Sequence, residues 1–564
     1  MDIVVSIKSL VFTYQNAKEP SIRGINGEIG DGEFLMIMGH GGAGKSTLCC
    51  AMNGIVPRFY NGEYSGNVFI AGKQTTQYNP SDMAKRVGLV LQDFEAQLFS
   101  TNVELEIAFG LENIGLPSVE INRRIDRYLD LIGLNGMRKV DIYTLSGGQK
   151  QRLAIGSVIA MEPNVVVMDE PTTDLDPVGR QGVLSLAGLL RDGKRTLVMV
   201  DNEPDAAVGA DKLWLMKDGE MIAQGVPGDY LKDEKLLVSC GVMPLQTISL
   251  FRRMNWQGDP LTVEAALELI QKNNLVQYRD RIIWTDSNVF SGNNFIIEAK
   301  DLSYRYPGAS QDVLKDINFG IKRGEFVAIL GQNGSGKTTL AKHFNRLLKP
   351  TSGELLVNGK QTTQYRQNEL ARLIGYVFQN PDNQIFASTV KEEVGFGLKV
   401  LGENAKVIEK NVAEALAVTG LEGYENMSPF VLSKGVRQRV AVASVLSVKP
   451  EAIILDEPTT GLDYQHQRGS LDMLKRLNKK GHTVVIITHS MWIAEEYADR
   501  CIVMKDGEII SDGKTRAVFA DEDRLVRASL VPSPIVRLSN RLGTKAMNVD
   551  DMVKELSDES IHLQ

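Results

Sequence analysis

The chain contains most of its own sequence twice. KQTTQY begins at Lys73 and again at Lys360, and DEPTT begins at Asp169 and again at Asp456, each pair 287 residues apart (360 − 73 and 456 − 169). A glycine loop of the form GxxxxGK[ST] occupies 39–46 and 331–338, offset by 292 (331 − 39). The first copy therefore carries a longer loop between its glycine motif and KQTTQY, around PRFYNGEYSG at 57–66. So long a period means two homologous domains, because stacked-repeat arrays use units of about 20–45 residues. Length and composition agree: 564 residues, 43% hydrophobic and 24% charged, suffice for more than one core and exclude disordered, collagenous or disulfide-scaffold classes.

The repetition continues past each large core. GVMPLQTISLFRRM at 241–254 echoes SLVPSPIVRLSNRL at 529–542, and TVEAALELI at 262–270 echoes NVDDMVKEL at 548–556, both with helical apolar spacing. The expected organisation is a first core at 1–234, a small appendage and connector at 235–290, a second core at 291–522, and a C-terminal appendage at 523–564. SGNN at 291–294 reads as a turn.

Each core runs strand, glycine loop, helix, a longer insertion, then an apolar strand ending in acids. VVVMDE at 165–170 and AIILDE at 452–457 are short uninterrupted apolar runs, which mark buried parallel strands. An α/β fold built on parallel sheet is predicted, twice over. The opening MDIVVSIKSLVFTY reads as a first strand rather than a secretory leader. Four cysteines (Cys49, Cys50, Cys240, Cys501) without a CxxC pair argue against a zinc or iron–sulfur site and suit a reducing compartment. A net charge of −7 supplies no basic field for nucleic acid or anionic lipid. No run approaches the roughly 18 apolar residues of a bilayer span, so any membrane role is expected to be peripheral.

The glycine loops carry the chemistry. Their glycines let backbone N–H groups turn around phosphate oxygens, and the following helix offers its positive end to the same anion. The first loop contributes Gly39, Gly41, Gly42, Gly44, Lys45, Ser46 and Thr47; the second contributes Gly331, Asn333, Gly334, Gly336, Lys337, Thr338 and Thr339. Lys45 and Lys337 are expected to reach the β- and γ-phosphates, and Ser46 and Thr338 to give a hydroxyl to Mg²⁺. Asp169 and Asp456 end apolar strands, where a carboxylate can hold a metal-bound water. Glu170 and Glu457 follow directly and can polarise an attacking water as general base. The sum is nucleotide hydrolysis.

LSGGQKQR at 145–152 narrows the reading. With the glycine loops and DEPTT, it makes each half resemble the nucleotide-binding domain of an ATP-binding-cassette (ABC) protein, over nearly the whole chain. The resemblance implies tandem P-loop NTPase domains, ATP and Mg²⁺ as cofactors, and halves paired head to tail, within one chain or between two. Each ATP would then lie between one half's phosphate loop and the other's signature segment. It assigns signature roles to Ser146, Gly147, Gly148, Gln149, Ser433 and Gly435, adenine stacking to Tyr14 and Tyr306, and a γ-phosphate switch to His489. The implied metal set is Ser46, Gln92 and Asp169 in one half and Thr338, Gln379 and Asp456 in the other, the glutamines also sensing a transmembrane partner.

FQNPDNQIFASTVKEEVGFGL at 378–398 resembles more narrowly the ATPase subunits of energy-coupling-factor (ECF) importers and related cobalt and nickel importers. The first half has a looser version, LQDFEAQLFSTNVELEIAFGL at 91–111. This implies a peripheral ATPase at the cytoplasmic face of the cell membrane, driving a polytopic coupling subunit and small substrate-binding membrane subunits that import a micronutrient. Leu98, Phe99, Ile385 and Phe386 are candidates to line the grooves for the membrane partner, with ordinary core packing as the alternative. Other readings are a cobalt, nickel or other ABC transporter ATPase, or a soluble tandem ABC ATPase acting on ribosomes or DNA. Against the soluble role stand the lack of a charged linker, a zinc cluster or a basic tail, and no nucleic-acid partner is expected. The substrate is not written in this chain.

Two departures separate the halves. Asn202 stands at the position of His489, and the second signature reads LSKGV at 432–436 where the first reads LSGGQ. Head-to-tail pairing would join Lys337, Asp456, Glu457 and His489 to the intact signature at 146–149. Lys45, Asp169, Glu170 and Asn202 would join Ser433, Lys434, Gly435 and Val436. One consensus and one degenerate site are expected, the second binding ATP and turning it over slowly.

Overall fold

The computed structural model describes residues 2–173, 175–192, 195–276 and 295–560. The later part of the expected connector, SGNN included, lies outside the described residues. The chain divides into two compact units, residues 1–266 with 463–465 and residues 267–462 with 466–564.

In the first unit the strands Val87–Val90, Val165–Asp169, Thr196–Val200, Phe34–Gly39 and Lys212–Lys217 lie side by side and parallel, and Glu220–Gly225 closes the edge antiparallel. Alternation explains why these strands read as unbroken apolar runs. Met36, Met38, Val166 and Met168 enter one core cluster, while Leu35, Ile37, Val165 and Val167 enter another. Both faces are covered, so every position is apolar. The second unit repeats the order with Ile374–Val377, Ala452–Asp456, Thr483–Thr488, Phe326–Leu330, Arg500–Lys505 and Glu508–Lys514.

Each unit also has a four-stranded antiparallel sheet that the expectation of a parallel sheet did not include. In the first unit its order is Ile22–Gly30, Ile3–Tyr14, Gly62–Ile70, Lys73–Gln74; in the second it is Leu314–Lys322, Phe295–Tyr304, Ser352–Val357, Lys360–Gln361. The fold is therefore α/β with mixed sheets. The reason is legible along Ile3–Tyr14, where Val5 and Ile7 are buried, then Leu10 and Phe12. A register shift between Ile7 and Leu10 interrupts the alternation, with Ser9 at φ 46°. A strand with one buried face and a bulge belongs in an antiparallel sheet.

The C-terminal appendage of the second unit contains the helices Pro534–Leu542 and Val549–Ser560. It meets the core through Glu495, on the helix Met491–Tyr497 that begins two residues after His489. Glu495 Oε1 accepts from Ser533 N–H at 2.8 Å, while Oε2 is buried without a partner. In the first unit the helix Gln246–Arg253 instead follows Leu245, which is buried and caps nothing with its side chain. Among the described residues no helix is long and apolar enough to cross a membrane.

Candidate active site

Three parallel strands end together, and that sets the geometry. Val200 pairs with Ile37 on one side and with Asp169 on the other, so the glycine loop, the acid pair and Asn202 emerge at one sheet edge. In the second unit Ile487 pairs with Ile329 and Asp456 in the same way, bringing His489 to that edge. The carboxyl ends of parallel strands are where such folds place ligands. Glu170 and Glu457 both hold left-handed backbones, φ 47° and 45°, with their N–H groups donating to Val200 O at 3.1 Å and Ile487 O at 2.9 Å. A non-glycine residue pays about 1–3 kcal/mol for such a conformation, and its appearance at the same acid in both halves points to function.

Each glycine loop curls over its own lysine. Lys45 Nζ donates to Gly39 O at 2.6 Å and His40 O at 3.0 Å; Lys337 Nζ donates to Gly331 O at 2.7 Å and Gln332 O at 2.9 Å. The helices Lys45–Asn53 and Lys337–Phe344 start immediately after Gly44 and Gly336, at φ 93° and 100°. A Cβ on Gly44 would sit 2.4 Å from Ser21 O, so only glycine fits. The unsatisfied N–H groups of that helix start, with the dipole behind them, make an anion site.

The metal-candidate oxygens gather beside it. Thr338 Oγ1 donates to Asp456 Oδ1 at 3.1 Å and Tyr376 Oη donates to Asp456 Oδ2 at 2.9 Å. Asp169 Oδ1 is buried with no partner. Burial pushes Asp169 up to about 6, opposed by the Ser46 hydroxyl and reinforced by Glu170 nearby. Burial also raises Asp456, against the hydrogen bonds from Tyr376 and Thr338. A buried carboxylate oxygen without a partner, on an acid that also meets the Ser46 hydroxyl, fits a hard cation such as Mg²⁺, which would hold the acid ionised. The candidate adenine residues flank the same helices, Tyr14 and Tyr306 hydroxyls meeting those of Thr47 and Thr339 at 3.1 and 3.2 Å.

The two acids have different partners. Glu457 Oε1 lies 2.8 Å from His489 Nδ1. Glu170 Oε2 instead accepts from Gln92 Nε2 at 2.7 Å, and its Oε1 is 3.4 Å from Lys45 Nζ. Asn202 does not reach Glu170 in the described bonds; its Oδ1 accepts from Gly39 N–H at 3.1 Å. Gln379, the counterpart of Gln92, is exposed. Tyr376 was missed in the sequence, although its signal is there: the second half reads YVFQ where the first reads LVLQ.

The signature segments open helices, Gly147–Ile159 and Lys434–Ser447. In the first, Ser146 Oγ accepts from Gln149 N–H at 3.3 Å and Gln149 Oε1 accepts from Ser146 N–H at 2.9 Å, a reciprocal cap. Val436 cannot return that bond, and the side chain of Ser433 caps nothing. Lys434 folds its ammonium over Gly461, so close that a Cβ on that glycine would lie 2.5 Å from Nζ. Ser146, Gly147 and Ser433 are exposed and Gly148 and Gly435 half-buried, and no described hydrogen bond ties either segment to the phosphate loop of its own half.

The four groove candidates divide. Ile385 is 4% exposed and belongs to the core, and Leu98 leans on the core of the first unit. Phe99 and Phe386 are each 59% exposed, and each packs edge-on against a second exposed ring, Phe109 or Phe396, with centroids 4.6 Å apart. The aliphatic member of each pair supports the fold, and the aromatic one faces out.

Comparison with known proteins identifies the family. The ABC transporter family model matches residues 22–173 and 314–460. A candidate ABC transporter ATP-binding protein of Caldanaerobacter subterraneus subsp. tengcongensis is 48% identical over 561 residues, covering 98% of each chain. Another of Methanosarcina acetivorans is 39% identical over 564 residues, covering 97% of this chain and 91% of the relative. Among solved structures, cbiO1 from Clostridium perfringens, part of the ABC transporter complex cbiONQ, is 39% identical, with 44% of this chain and 99% of that chain covered and a TM-score of 0.39. Two cassettes with this chemistry, joined in one polypeptide and matched end to end by such relatives, make the chain a member of the ABC transporter ATP-binding family, an ATPase with two tandem ABC domains.

Proposed function

We propose that this ATPase energises an ECF-type membrane importer of a micronutrient, with the second half's phosphate loop feeding the main hydrolytic site. The observation that carries the transport reading is the pairing of the QNPDNQIF segment with exposed aromatic rings at the same repeat position in both halves. Exposed apolar rings suit a helix from a membrane subunit as their partner, since aromatic anchors dominate contacts of that kind once covered. Head-to-tail pairing of the halves and the peripheral cytoplasmic location belong to this proposal and rest on the family resemblance.

In the consensus site Lys337 and the loop N–H groups hold the terminal phosphates, and Glu457 accepts a proton from the attacking water. His489 orients that carboxylate through their 2.8 Å contact. Thr338, Asp456 and Gln379 would hold Mg²⁺, which neutralises charge on the phosphate oxygens. In the degenerate site Lys45, Ser46, Asp169 and Gln92 keep the binding parts, Tyr14 takes the adenine, and Glu170 is engaged by Gln92 and Lys45.

The test is mild-detergent affinity purification of the chain from its native cells, with mass spectrometry of what accompanies it. A polytopic coupling protein with small membrane proteins is the expected company; ribosomal or DNA-repair proteins in their place would overturn the transport reading. Replacing both outward rings, Phe99→Asp with Phe386→Asp, is expected to strip the membrane proteins from the purification while ATP binding stays within about twofold, because neither ring lies on the phosphate loops.

A further inference from the structure

The longer loop of the first half has a structural consequence at the base end of its nucleotide site. Strand Ile3–Tyr14 stays paired to its last residue, Tyr14 opposite Gly62, and Gln15 N–H donates to Asn61 O at 2.9 Å. That ladder fixes Tyr60 beside Tyr14, with ring centroids 5.7 Å apart and planes at 76°. Tyr60 remains 48% exposed. In the second half the ladder stops earlier. Its last pair is Ser303 opposite Ser352, the strand ends at Tyr304, and Tyr306 lies two residues beyond it. There Thr351 Oγ1 accepts from Arg305 N–H at 3.0 Å. Both halves keep an inner ring against the candidate adenine residue, Phe12 on Tyr14 at 4.8 Å and Tyr304 on Tyr306 at 5.0 Å. Tyr60 is the addition.

We infer that Tyr60 is a base-contacting residue of the first half's nucleotide site, a second aromatic wall for the adenine that Tyr14 stacks. The inference rests on the proposed role of Tyr14 and deepens it. Two rings at 76° form a corner, not a sandwich. A purine lying flat on one ring meets the other edge to face, and both arrangements are favourable for aromatic pairs. The contact is with the base alone, so it strengthens nucleotide retention without touching the phosphates. Tyr306 offers one ring where the first half offers a corner, so the half expected to turn over slowly is also the half built to hold its nucleotide longer.

The experiment isolates one site at a time in the full chain. In a Lys337→Ala background, which disables the second phosphate loop, calorimetry measures the affinity of the first site for ATP and for inorganic tripolyphosphate. Tyr60→Ala and Tyr60→Leu are expected to weaken ATP about 5- to 10-fold, the scale of one aromatic–base contact, and to leave tripolyphosphate within about twofold. Tyr60→Phe should retain ATP affinity. In a Lys45→Ala background, where the second site alone binds, Tyr60→Ala should change nothing. Equal weakening of ATP and tripolyphosphate would mean that the loop, not the base contact, was lost, and would overturn the inference. Unchanged ATP affinity in Tyr60→Ala, with Tyr14→Ala still weakening it, removes Tyr60 and leaves the reading of Tyr14 intact. If neither variant weakens ATP, both fall.

Discussion

Glu457→Gln is expected to lower steady-state ATP turnover by at least about 100-fold, whereas Glu170→Gln should leave half or more of it. The reason is local to each acid. Glu457 is buried and meets His489 at 2.8 Å, so the proposed base is in contact with the group proposed to orient it. Glu170 already accepts a hydrogen bond from Gln92 and faces Lys45. A carboxylate engaged by an amide and an ammonium has lone pairs committed elsewhere, and deprotonating a water demands them. Glutamine keeps the shape and the hydrogen bonds while abolishing basicity, so the comparison isolates proton abstraction. Phosphate release measured on both variants at saturating ATP checks it; equal losses would contradict the asymmetry. His489→Ala should move turnover in the same direction as Glu457→Gln, by a smaller factor, because the base would stay but lose its orientation.

Glu495→Gln should stabilise the chain increasingly as pH rises. Burial pushes the Glu495 carboxyl up to about 8, opposed by hydrogen bonds from Ser533 and reinforced by neighbouring Glu496. The unfolded chain releases this proton near pH 4.5, while the folded chain holds it until about 8. Below the lower value both states are protonated and the residue costs nothing. Between the two values the wild type loses stability, at roughly 1.4 kcal/mol per pH unit for one fully displaced proton, and the loss levels off above the higher one. Glutamine does not titrate. It keeps an oxygen for Ser533 N–H and carries its own N–H donors at every pH. Denaturant melts from pH 5 to 9 should show a gap that widens by several kcal/mol up to pH 8 and is flat beyond. A gap that does not change with pH would show that Glu495 is ionised in the folded chain.

How much of this was legible in the sequence depends on what wrote it. Uninterrupted apolar runs announced the buried parallel strands because both their faces are covered. The glycine loops, acid pairs and signature segments were legible because each needs fixed residue types at fixed spacing. The antiparallel sheets were not read, since Ile3–Tyr14 breaks its alternation at a bulge and strand pairing is a long-range property. Ile385 and Phe386 are adjacent in sequence and equally apolar, yet one is core and the other surface; only packing separates them. The Gln92–Glu170 contact joins residues 78 positions apart, and nothing local in either predicts it.

The bond between Asn202 and the first glycine of its own loop bears on timing. For its amide to turn toward an incoming phosphate, that bond must first break, at a net cost of about 0.5–1.5 kcal/mol, or roughly 2- to 12-fold in population. On the proposed roles of these residues, the first half would answer the arrival and loss of a terminal phosphate less readily than the second, where His489 meets Glu457 instead of its own glycine loop. Over many cycles the two halves would keep different time, nucleotide in the first outlasting several exchanges in the second.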